Sequence, residues 1–261
     1  MGLNFGLSGA TALYMGTSGS TEAYFGTNLV YSGETPSANN FIYYTTTNGE
    51  PLIMNDAAWT QNIVNHSYGT IEFDNDVTAI PNGAFSGQTT LATVTLPSTI
   101  ETIGDSAFRY TSGLTMNFDT RDYPSLSSIG GSVFQGSNLS GCSVYIGSGL
   151  TVGTAIFGAT NIYSAYSDSD PNGGTASEIG PSLPAIHSIH FGPNKTAIRN
   201  VCSNTGNTTL AVITFDGTVA PSFASTVFRG VSSEGVFNYP DGSDYSAIIA
   251  KLPEGWTINP F

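Results

Sequence analysis

The sequence predicts a mainly β protein: a short solenoid of stacked repeats, with a small N-terminal β module before it and a C-terminal strand–helix cap after it. Two observations predict this fold class. Charged residues make up only 10% of the 261 residues while glycine alone accounts for 31, a balance typical of β-rich folds with many turns. In addition, a hexamer that ends in phenylalanine recurs along the chain at nearly constant spacing.

Residues 1–33 are predicted to form the N-terminal module. Aligned in tens they read "NFGLSGATAL", "YMGTSGSTEA" and "YFGTNLVYSG", with a glycine after an apolar residue in each line. This pattern predicts short strands joined by tight turns, and thirty such residues cannot enclose a core of their own. We therefore expect the module to lie against a partner, against copies of itself or against the repeats, with residues 34–40 as a linker.

The stretch "YMGTSGSTEAYFGTNLVYS" within this module resembles short modules of tail- and capsid-associated structural proteins of bacteriophages. The resemblance implies that residues 1–33 attach the chain to other virion or surface proteins. It also implies that the protein is a homo-oligomer or part of a larger assembly, located on the virion as an extracellular particle.

The repeats are predicted to occupy residues 41–261. The hexamer reads "IPNGAF", "IGDSAF", "IGGSVF" and "VGTAIF", and it ends at Phe85, Phe108, Phe134 and Phe157. One short strand with one return segment cannot bury its apolar side alone, whereas stacked copies form a continuous core. We therefore expect the four phenylalanines to lie in a column inside the solenoid.

One copy shows which family the repeats resemble. It follows the pattern Leu91-x-x-Val94-x-Leu96-Pro97-x-x-Ile100-x-x-Ile103-Gly104-x-x-Ala107-Phe108. This pattern resembles the BspA-like class of leucine-rich repeats, which implies a leucine-rich-repeat-like solenoid over residues 41–261. That class often has cysteine three positions after the phenylalanine, where this chain has Gln88, Thr111 and Ser137.

Residues 235–261 are predicted to cap the last repeat, because an open solenoid end exposes both core and strand edges. In "SDYSAIIAKL", Ser243 is the candidate N-cap of a short helix whose apolar face carries Ile248, Ile249 and Leu252. We expect Trp256 to fold over the final coil.

The charge balance and the N-terminus limit partners and location. Six lysines and arginines against 19 aspartates and glutamates give a net charge of −13, which repels nucleic-acid phosphates and anionic membranes. We therefore expect no nucleic-acid partner, and no apolar run is long enough for membrane insertion. The first residues lack the features of a signal peptide. Cys142 and Cys202 form either one bridge or two buried thiols.

Two groups of residues are candidate sites. Asp168, Asp170 and Asn172 in "DSDPNGGTASE" fit the first half of a calcium loop, although position twelve is Ile179; acidic glycine-rich inserts are more often solvated turns. The second group consists of tyrosines among small hydroxyl residues, which suit contact with carbohydrate or protein: Tyr44, Tyr163 and Tyr166.

The predicted function is non-enzymatic adhesion by a bacteriophage tail- or capsid-attached fibre or decoration, which presents the repeats to a glycan or protein of the host surface. A bacterial cell-surface adhesin of the BspA-like class is the alternative. A carbohydrate-active enzyme fits less well, because Glu72, Asp74 and Asp76 are expected on one exposed strand face with no second carboxylate cluster opposite. No cofactor is predicted beyond the candidate calcium ion.

Overall fold

The computed structural model describes residues 13–15, 22–25, 28–32, 39–53, 59, 61–158, 160–168, 186–198, 209–223, 228 and 231–261. Within these residues nearly all regular structure is β, as the composition predicts. One short α-helix and one 3₁₀ turn, Thr120–Asp122, complete the described elements. No helix in the described ranges has the length and apolar character needed to cross a membrane.

The N-terminal residues contain three short antiparallel strands that pair with one another. These are β1 (Leu13–Met15), β2 (Glu22–Phe25) and β3 (Asn28–Ser32), in the order β1-β2-β3. Strands β1 and β2 each cross the boundary between two of the ten-residue lines, and β3 lies within the third line.

A four-stranded antiparallel sheet precedes the stacked coils. It contains β4 (Phe41–Thr46), β5 (Ile63–Ser67), β6 (Thr70–Phe73) and β8 (Leu91–Thr95), in the order β5-β6-β4-β8. Strand β8 belongs to the first complete repeat, and β4 pairs with β8 in the antiparallel direction. The antiparallel strands therefore cover the first coil and keep its apolar interior from water.

The coils contribute two kinds of parallel sheet. A seven-stranded sheet consists of β10 (Phe118–Asp119), β12 (Asn138–Ile146), β14 (Asn161–Ser167), β15 (Ser188–Phe191), β17 (Val212–Phe215), β19 (Glu234–Tyr239) and β20 (Gly255–Pro260). On the return side lie two-residue strands: β7 (Ala79–Ile80), β9 (Thr102–Ile103), β11 (Ser128–Ile129) and β13 (Thr151–Val152), then β16 (Ala197–Ile198) paired with β18 (Ser222–Phe223). Buried side chains from both sides form one apolar cluster between them.

The predicted phenylalanine column is confirmed. The rings of Phe85, Phe108, Phe134 and Phe157 are fully buried, and successive centroids lie 5.1, 5.3 and 5.4 Å apart with planes within 9° of parallel. Trp59 packs edge-on against the first ring at 5.8 Å. The column therefore extends the core through four coils without a gap.

Hydroxyl side chains occupy three of the positions where BspA-like repeats often have cysteine: Thr111, Ser137 and Thr160. Thr111 and Ser137 are buried, and their hydroxyl oxygens lie 2.9 Å apart. Both donate hydrogen bonds to the carbonyl oxygen of Phe108, at 2.7 and 2.6 Å. Thr160, in the next coil, donates to the carbonyl of Phe134. This ladder satisfies buried carbonyls between coils, which is the requirement for polar groups in a dry core.

The return segments share a strained turn. The residue two positions before each column phenylalanine has a positive φ: Gly83, Ser106, Ser132 and Ala155, with values from 55° to 65°. Only the first is a glycine, so the other three hold a conformation that side chains disfavour. Backbone hydrogen bonds to the next coil hold them there, as when the Ser106 N–H donates to the Gly131 carbonyl at 2.9 Å.

The C-terminal cap forms with one change from the prediction. The helix α1 spans Ser246–Ile249 and follows Tyr245, so Ser243 is not its N-cap. The Asp244 carboxylate instead accepts hydrogen bonds from the Ser246 N–H and hydroxyl, because it sits at the distance from the first turn that a side-chain acceptor needs. Trp256 on β20 is buried as predicted, and its ring N–H donates to the Ser232 carbonyl at 2.8 Å.

Candidate binding surface

The outward face of the seven-stranded sheet carries a continuous row of polar and aromatic residues. Strand register aligns Asp119, Tyr145, Tyr166, His190, Thr214, Asn238 and Asn259, one from each strand. We call this set the tip row. On β12, β14, β15 and β17 the residues on either side of the row position are buried, as the alternation of a β-strand requires. The row therefore runs across all seven strands on one exposed face.

A second row lies two residues earlier on the same strands. It begins with Ser143, Ser164 and Ser188, which we call the serine row. The hydroxyl oxygens of Ser143 and Ser164 lie 2.8 Å apart, and the Ser143 N–H donates to the Asn117 side-chain oxygen at 2.8 Å. Further along, Val212 and Val236 take the equivalent positions, so the continuous run of serine hydroxyls ends after β15.

The aromatic side chains of the tip row stack along the solenoid axis. The Arg121 guanidinium lies over the Tyr145 ring at 4.0 Å, and the Tyr145 and Tyr166 rings are parallel at 4.4 Å. The His190 ring meets Tyr166 in a T-shaped contact at 5.0 Å. Each tyrosine ring therefore packs against its neighbours in the row, and the Tyr166 hydroxyl lies beside Gly192.

Charged groups on this surface are paired. The Arg121 side chain forms a two-pronged contact with Asp119, with its Nε 2.9 Å from Oδ1, and this contact lowers the pKa of Asp119. At the other end His190 Nε2 lies 2.7 Å from Asp216 Oδ1. Burial, followed by the negative charge of Asp168, raises the pKa of Tyr166 to about 12, so its hydroxyl keeps its proton at neutral pH.

A groove of about 450 Å³ follows both rows over β10, β12, β14 and β15. Its polar lining consists of Asn117, Asp119, Arg121, Ser143, Tyr145, Ser164, Tyr166, Ser188 and His190. The apolar lining residues, Phe118, Val144 and Ala165, are buried with their side chains in the core. The exposed surface of the groove is therefore a set of hydroxyls and other hydrogen-bonding groups.

Of the tyrosines singled out from the sequence, only Tyr166 is placed in this groove by the described side chains. Tyr44 is a core residue with 2% exposure, and its hydroxyl donates to the Ser67 carbonyl at 3.0 Å, so its assignment to a binding surface is corrected. It faces inward because it alternates with Tyr43 on β4, whose odd positions are the outward ones. Tyr163 lies on β14, and its side chain is outside the described part.

The calcium candidate is divided between described and undescribed residues. Asp168 is buried, and its two carboxylate oxygens accept hydrogen bonds from the backbone N–H and the side-chain amide of Asn194, both at 2.7 Å. These bonds give Asp168 a structural task, since they join two successive coils. Asp170 and Asn172 lie outside the described residues. Among the residues that the structure describes, no group of three or more metal-ligating side chains occurs.

The acidic run does not form the single strand face expected of it. Strand β6 ends at Phe73, so only Glu72 of the three acidic residues lies on a strand. Asp74 turns back to accept a hydrogen bond from the Asn62 side chain at 2.8 Å, which lowers the pKa of Asp74. Cys142 is a buried free thiol whose pKa is raised by burial, and Cys202 lies outside the described residues.

Sequence reasoning missed most of the groove, although a signal was present. The serine row and the tip row follow a short pattern of serine, an apolar residue and a ring: Ser143-Val144-Tyr145, Ser164-Ala165-Tyr166 and Ser188-Ile189-His190. These triplets recur at intervals of 21 and 24 residues, close to the repeat length. Reading the strand positions of each repeat for outward residues would have identified them.

Comparison with known families agrees with the coil geometry. Residues 63–170 match the model of the BspA type leucine rich repeat region, in six copies. No curated protein and no solved structure matches the chain. The matched residues include the whole phenylalanine column and the first three strands of the seven-stranded sheet. Residues 63–170 are therefore similar to a BspA-type leucine-rich repeat region, and the stacked coils are consistent with a leucine-rich-repeat-like solenoid.

Proposed function

We propose that this protein is a non-enzymatic adhesion protein that binds a cell-surface ligand in the groove along the tip row and serine row. The observation that carries the proposal is the alignment of Tyr145, Tyr166 and His190 with three serines on one exposed sheet face. An exposed sheet face that only stabilises the fold does not require rings and serine hydroxyls to be aligned in this way. The BspA-type repeats support a surface or adhesion role in general.

A binding role fits the chemistry of the groove better than a catalytic one. The carboxylates on this surface, Asp119 and Asp216, are each engaged with a cationic or imidazole partner. General acid–base chemistry on a sugar requires two carboxyl groups that face one another across the bond to be cleaved. We therefore propose binding without turnover, and expect no release of reducing ends from polysaccharides incubated with the protein.

The binding proposal is tested with whole cells. Fluorescently labelled full-length protein is incubated with a panel of intact Gram-positive and Gram-negative bacteria, and bound fluorescence is measured. Because Tyr166 lies at the centre of the groove, we expect Tyr166→Ala to lower binding about tenfold or more on every surface that the unmodified protein binds. Ser164→Lys, which fills the groove without removing a packed ring, is expected to have a similar effect.

Tyr68→Ala is the matched control, since Tyr68 is a half-exposed tyrosine on the turn between β5 and β6, outside the groove. Its binding is expected to equal that of the unmodified protein. Thermal unfolding of each variant shows that it is folded. The proposal is wrong if folded Tyr166→Ala and Ser164→Lys both bind as well as the control, or if the unmodified protein binds no surface.

We further propose that residues 1–33 attach the protein to its carrier, and that the carrier is a virion. The supporting observation is that β1, β2 and β3 pair only with one another among the described strands, as expected of a separate small sheet. Deleting residues 1–33 is expected to reduce the mass measured in solution by light scattering to that of a monomer. Equal, monomeric masses for both chains, together with no capture of a partner by the full chain, would contradict attachment.

A bacterial cell-surface adhesin would use the same repeats and the same groove, so the carrier needs its own measurement. Gold-labelled antibodies against the repeat region are applied to cells and to phage particles purified from the same source culture. Labelling of particles supports the virion proposal. Labelling confined to intact cell surfaces overturns it in favour of the cell-surface adhesin.

A further inference from the structure

We propose that the ligand of the groove is an uncharged linear glycan that runs across the strands. It places about one sugar residue on each rung, that is, on each strand of the seven-stranded sheet. This inference rests on the proposed binding function and specifies its ligand class and direction. It follows from the spacing of the rows, from the kind of groups that they present, and from the pairing of the charges beside them.

The spacing of the rows matches a polymer of sugar-sized units. Neighbouring strands in a sheet lie about 4.8 Å apart, so the serine row and the tip row each present one side chain per 4.8 Å along the solenoid axis. The Tyr145 and Tyr166 ring centroids, 4.4 Å apart, keep this interval at the surface. A pyranose ring with its glycosidic oxygen advances an extended glycan by a similar length. An extended peptide advances by only about 3.3 Å per residue and loses register with the rungs.

The groups in the rows are those that recognise hydroxyls. Serine and tyrosine hydroxyls both donate and accept hydrogen bonds, so a row of them can pair with sugar hydroxyls of either polarity. Each rung from β12 to β15 offers a serine hydroxyl and, two residues on, a tyrosine or histidine tip. One sugar per rung therefore meets two hydrogen-bonding side chains.

The charges beside the rows favour an uncharged ligand. Asp119 is paired with Arg121 and Asp216 with His190, so a sulfate or carboxylate at either position would compete with a carboxylate that is already in contact. The chain as a whole carries a net charge of −13, which repels polyanions. The negative charge of the chain and these existing contacts therefore disfavour acidic and sulfated polysaccharides relative to a neutral glycan.

The shape of the groove disfavours a peptide. Peptides are held by a free sheet edge or by apolar pockets for their side chains. This groove lies on a sheet face, and its apolar lining residues Phe118, Val144 and Ala165 are turned into the core. The ring faces of Tyr145 are covered by Arg121 and Tyr166, so no open aromatic face is available there for anchoring.

The groove also sets the length of glycan that it can hold. Its lining comes from β10, β12, β14 and β15, which are four successive rungs. On the next rung Val212 replaces serine, so the paired hydrogen bonds end there. Affinity is therefore expected to rise with chain length up to about four sugars and then to level off.

The test is calorimetric titration of the full-length protein with β-1,4-linked oligosaccharides of glucose and of N-acetylglucosamine, from one to six sugars. We expect the affinity for at least one series to rise about tenfold from two to four sugars and less than about twofold from four to six. Polygalacturonate, heparin and polylysine serve as acidic and basic comparison polymers. Heparin or polygalacturonate binding more tightly than the neutral series overturns the proposal.

Two substitutions connect the binding to the rows. Ser164→Ala removes one central hydroxyl with little change in volume and is expected to lower the affinity for the four-sugar ligand about tenfold. Thr257→Val is the matched control, because Thr257 continues the same row on β20, beyond the groove, and its removal should leave the affinity unchanged. Equal affinities of the two variants would overturn the proposed orientation.

The outcome also separates this inference from the proposed function. If cells bind through Tyr166 and no glycan of the series binds, while protease treatment of the cells abolishes the binding, the adhesion function stands and the glycan inference is wrong. If the protein binds neither cells nor glycans, both are wrong. If cell binding resists protease and is competed by the four-sugar ligand, both are supported.

Discussion

Replacing Phe134 by alanine is expected to lower the free energy of unfolding by about 3–5 kcal/mol. Phe134 lies in the middle of the phenylalanine column, with Phe108 and Phe157 stacked on its two faces at 5.3 and 5.4 Å. Phe118 of the seven-stranded sheet packs against it at 5.2 Å. Removing the ring leaves a cavity bounded by two rigid coils that cannot close it, and the cost of such a cavity adds to the lost burial.

Chemical denaturation of the unmodified protein and the variant measures this change. The control is Phe261→Ala, since Phe261 is 60% exposed and its removal should change the free energy by less than about 0.5 kcal/mol. A loss below about 1 kcal/mol for Phe134→Ala, at unchanged secondary structure, would contradict a packed column.

The packing of the phenylalanine column can also be tested by asking whether the effects of two substitutions on the free energy of unfolding add. Phe108→Ala and Phe134→Ala remove rings that contact one another, so their effects should not add. Phe108→Ala and Phe237→Ala lie in distant coils, and their effects should add within about 0.5 kcal/mol. Additive behaviour for the contacting pair would show that each coil is stable without its neighbour, contrary to the nearest-neighbour energetics of solenoids.

Replacing Gly130 by alanine is the second change with a large expected effect, a loss of about 3 kcal/mol. A methyl group at Gly130 would lie 2.4 Å from the Asp105 backbone nitrogen and 2.7 Å from the Gly104 carbonyl carbon, which belong to the preceding coil. These atoms are backbone and cannot swing aside. The overlap therefore separates the two coils at the point where β9 and β11 pair.

The neighbouring glycine supplies the comparison. At Gly131 the nearest atom to an added methyl group is the Thr154 carbonyl oxygen at 3.2 Å, a contact that a shift of a few tenths of an ångström relieves. We expect Gly131→Ala to cost about 1 kcal/mol or less. Urea denaturation of both variants checks this order, and an equal or greater loss for Gly131→Ala would contradict the close approach of coils at Gly130.

The interior of the solenoid was predictable because burial repeats with the coil. Each aliphatic or phenylalanine position contacts its counterparts in the coils before and after it, so one spacing along the chain appears directly as one column in space. Leu91, Val94 and Leu96, which are apolar positions of the repeat pattern, are all buried. The cap residue Trp256 was placed correctly for a related reason, since a large apolar side chain after the last repeat has only the open end of the core to cover.

The roles of the polar residues depend on hydrogen bonds that a local sequence pattern does not contain. Asp168 resembles the start of a calcium loop in the sequence, yet in the fold its carboxylate is hydrogen-bonded to Asn194, which lies 26 residues later in the next coil. Ser243 resembles an N-cap, yet Asp244 stands nearer to the free N–H groups of α1. In both cases several residues compete for one hydrogen bond, and the choice depends on distances of a few ångströms.

The groove shows most clearly which features the sequence pattern predicts and which depend on the tertiary structure. Periodic apolar residues specify which side of each strand is buried, because water is excluded from that side in every coil alike. Which outward residues become neighbours depends instead on strand register, and register is set by return segments of unequal length: Ser143 and Ser164 are 21 residues apart, whereas Ser164 and Ser188 are 24 apart and also share a rung. Core periodicity is therefore readable in one dimension, while the alignment of Tyr145, Tyr166 and His190 arises only when the coils have stacked.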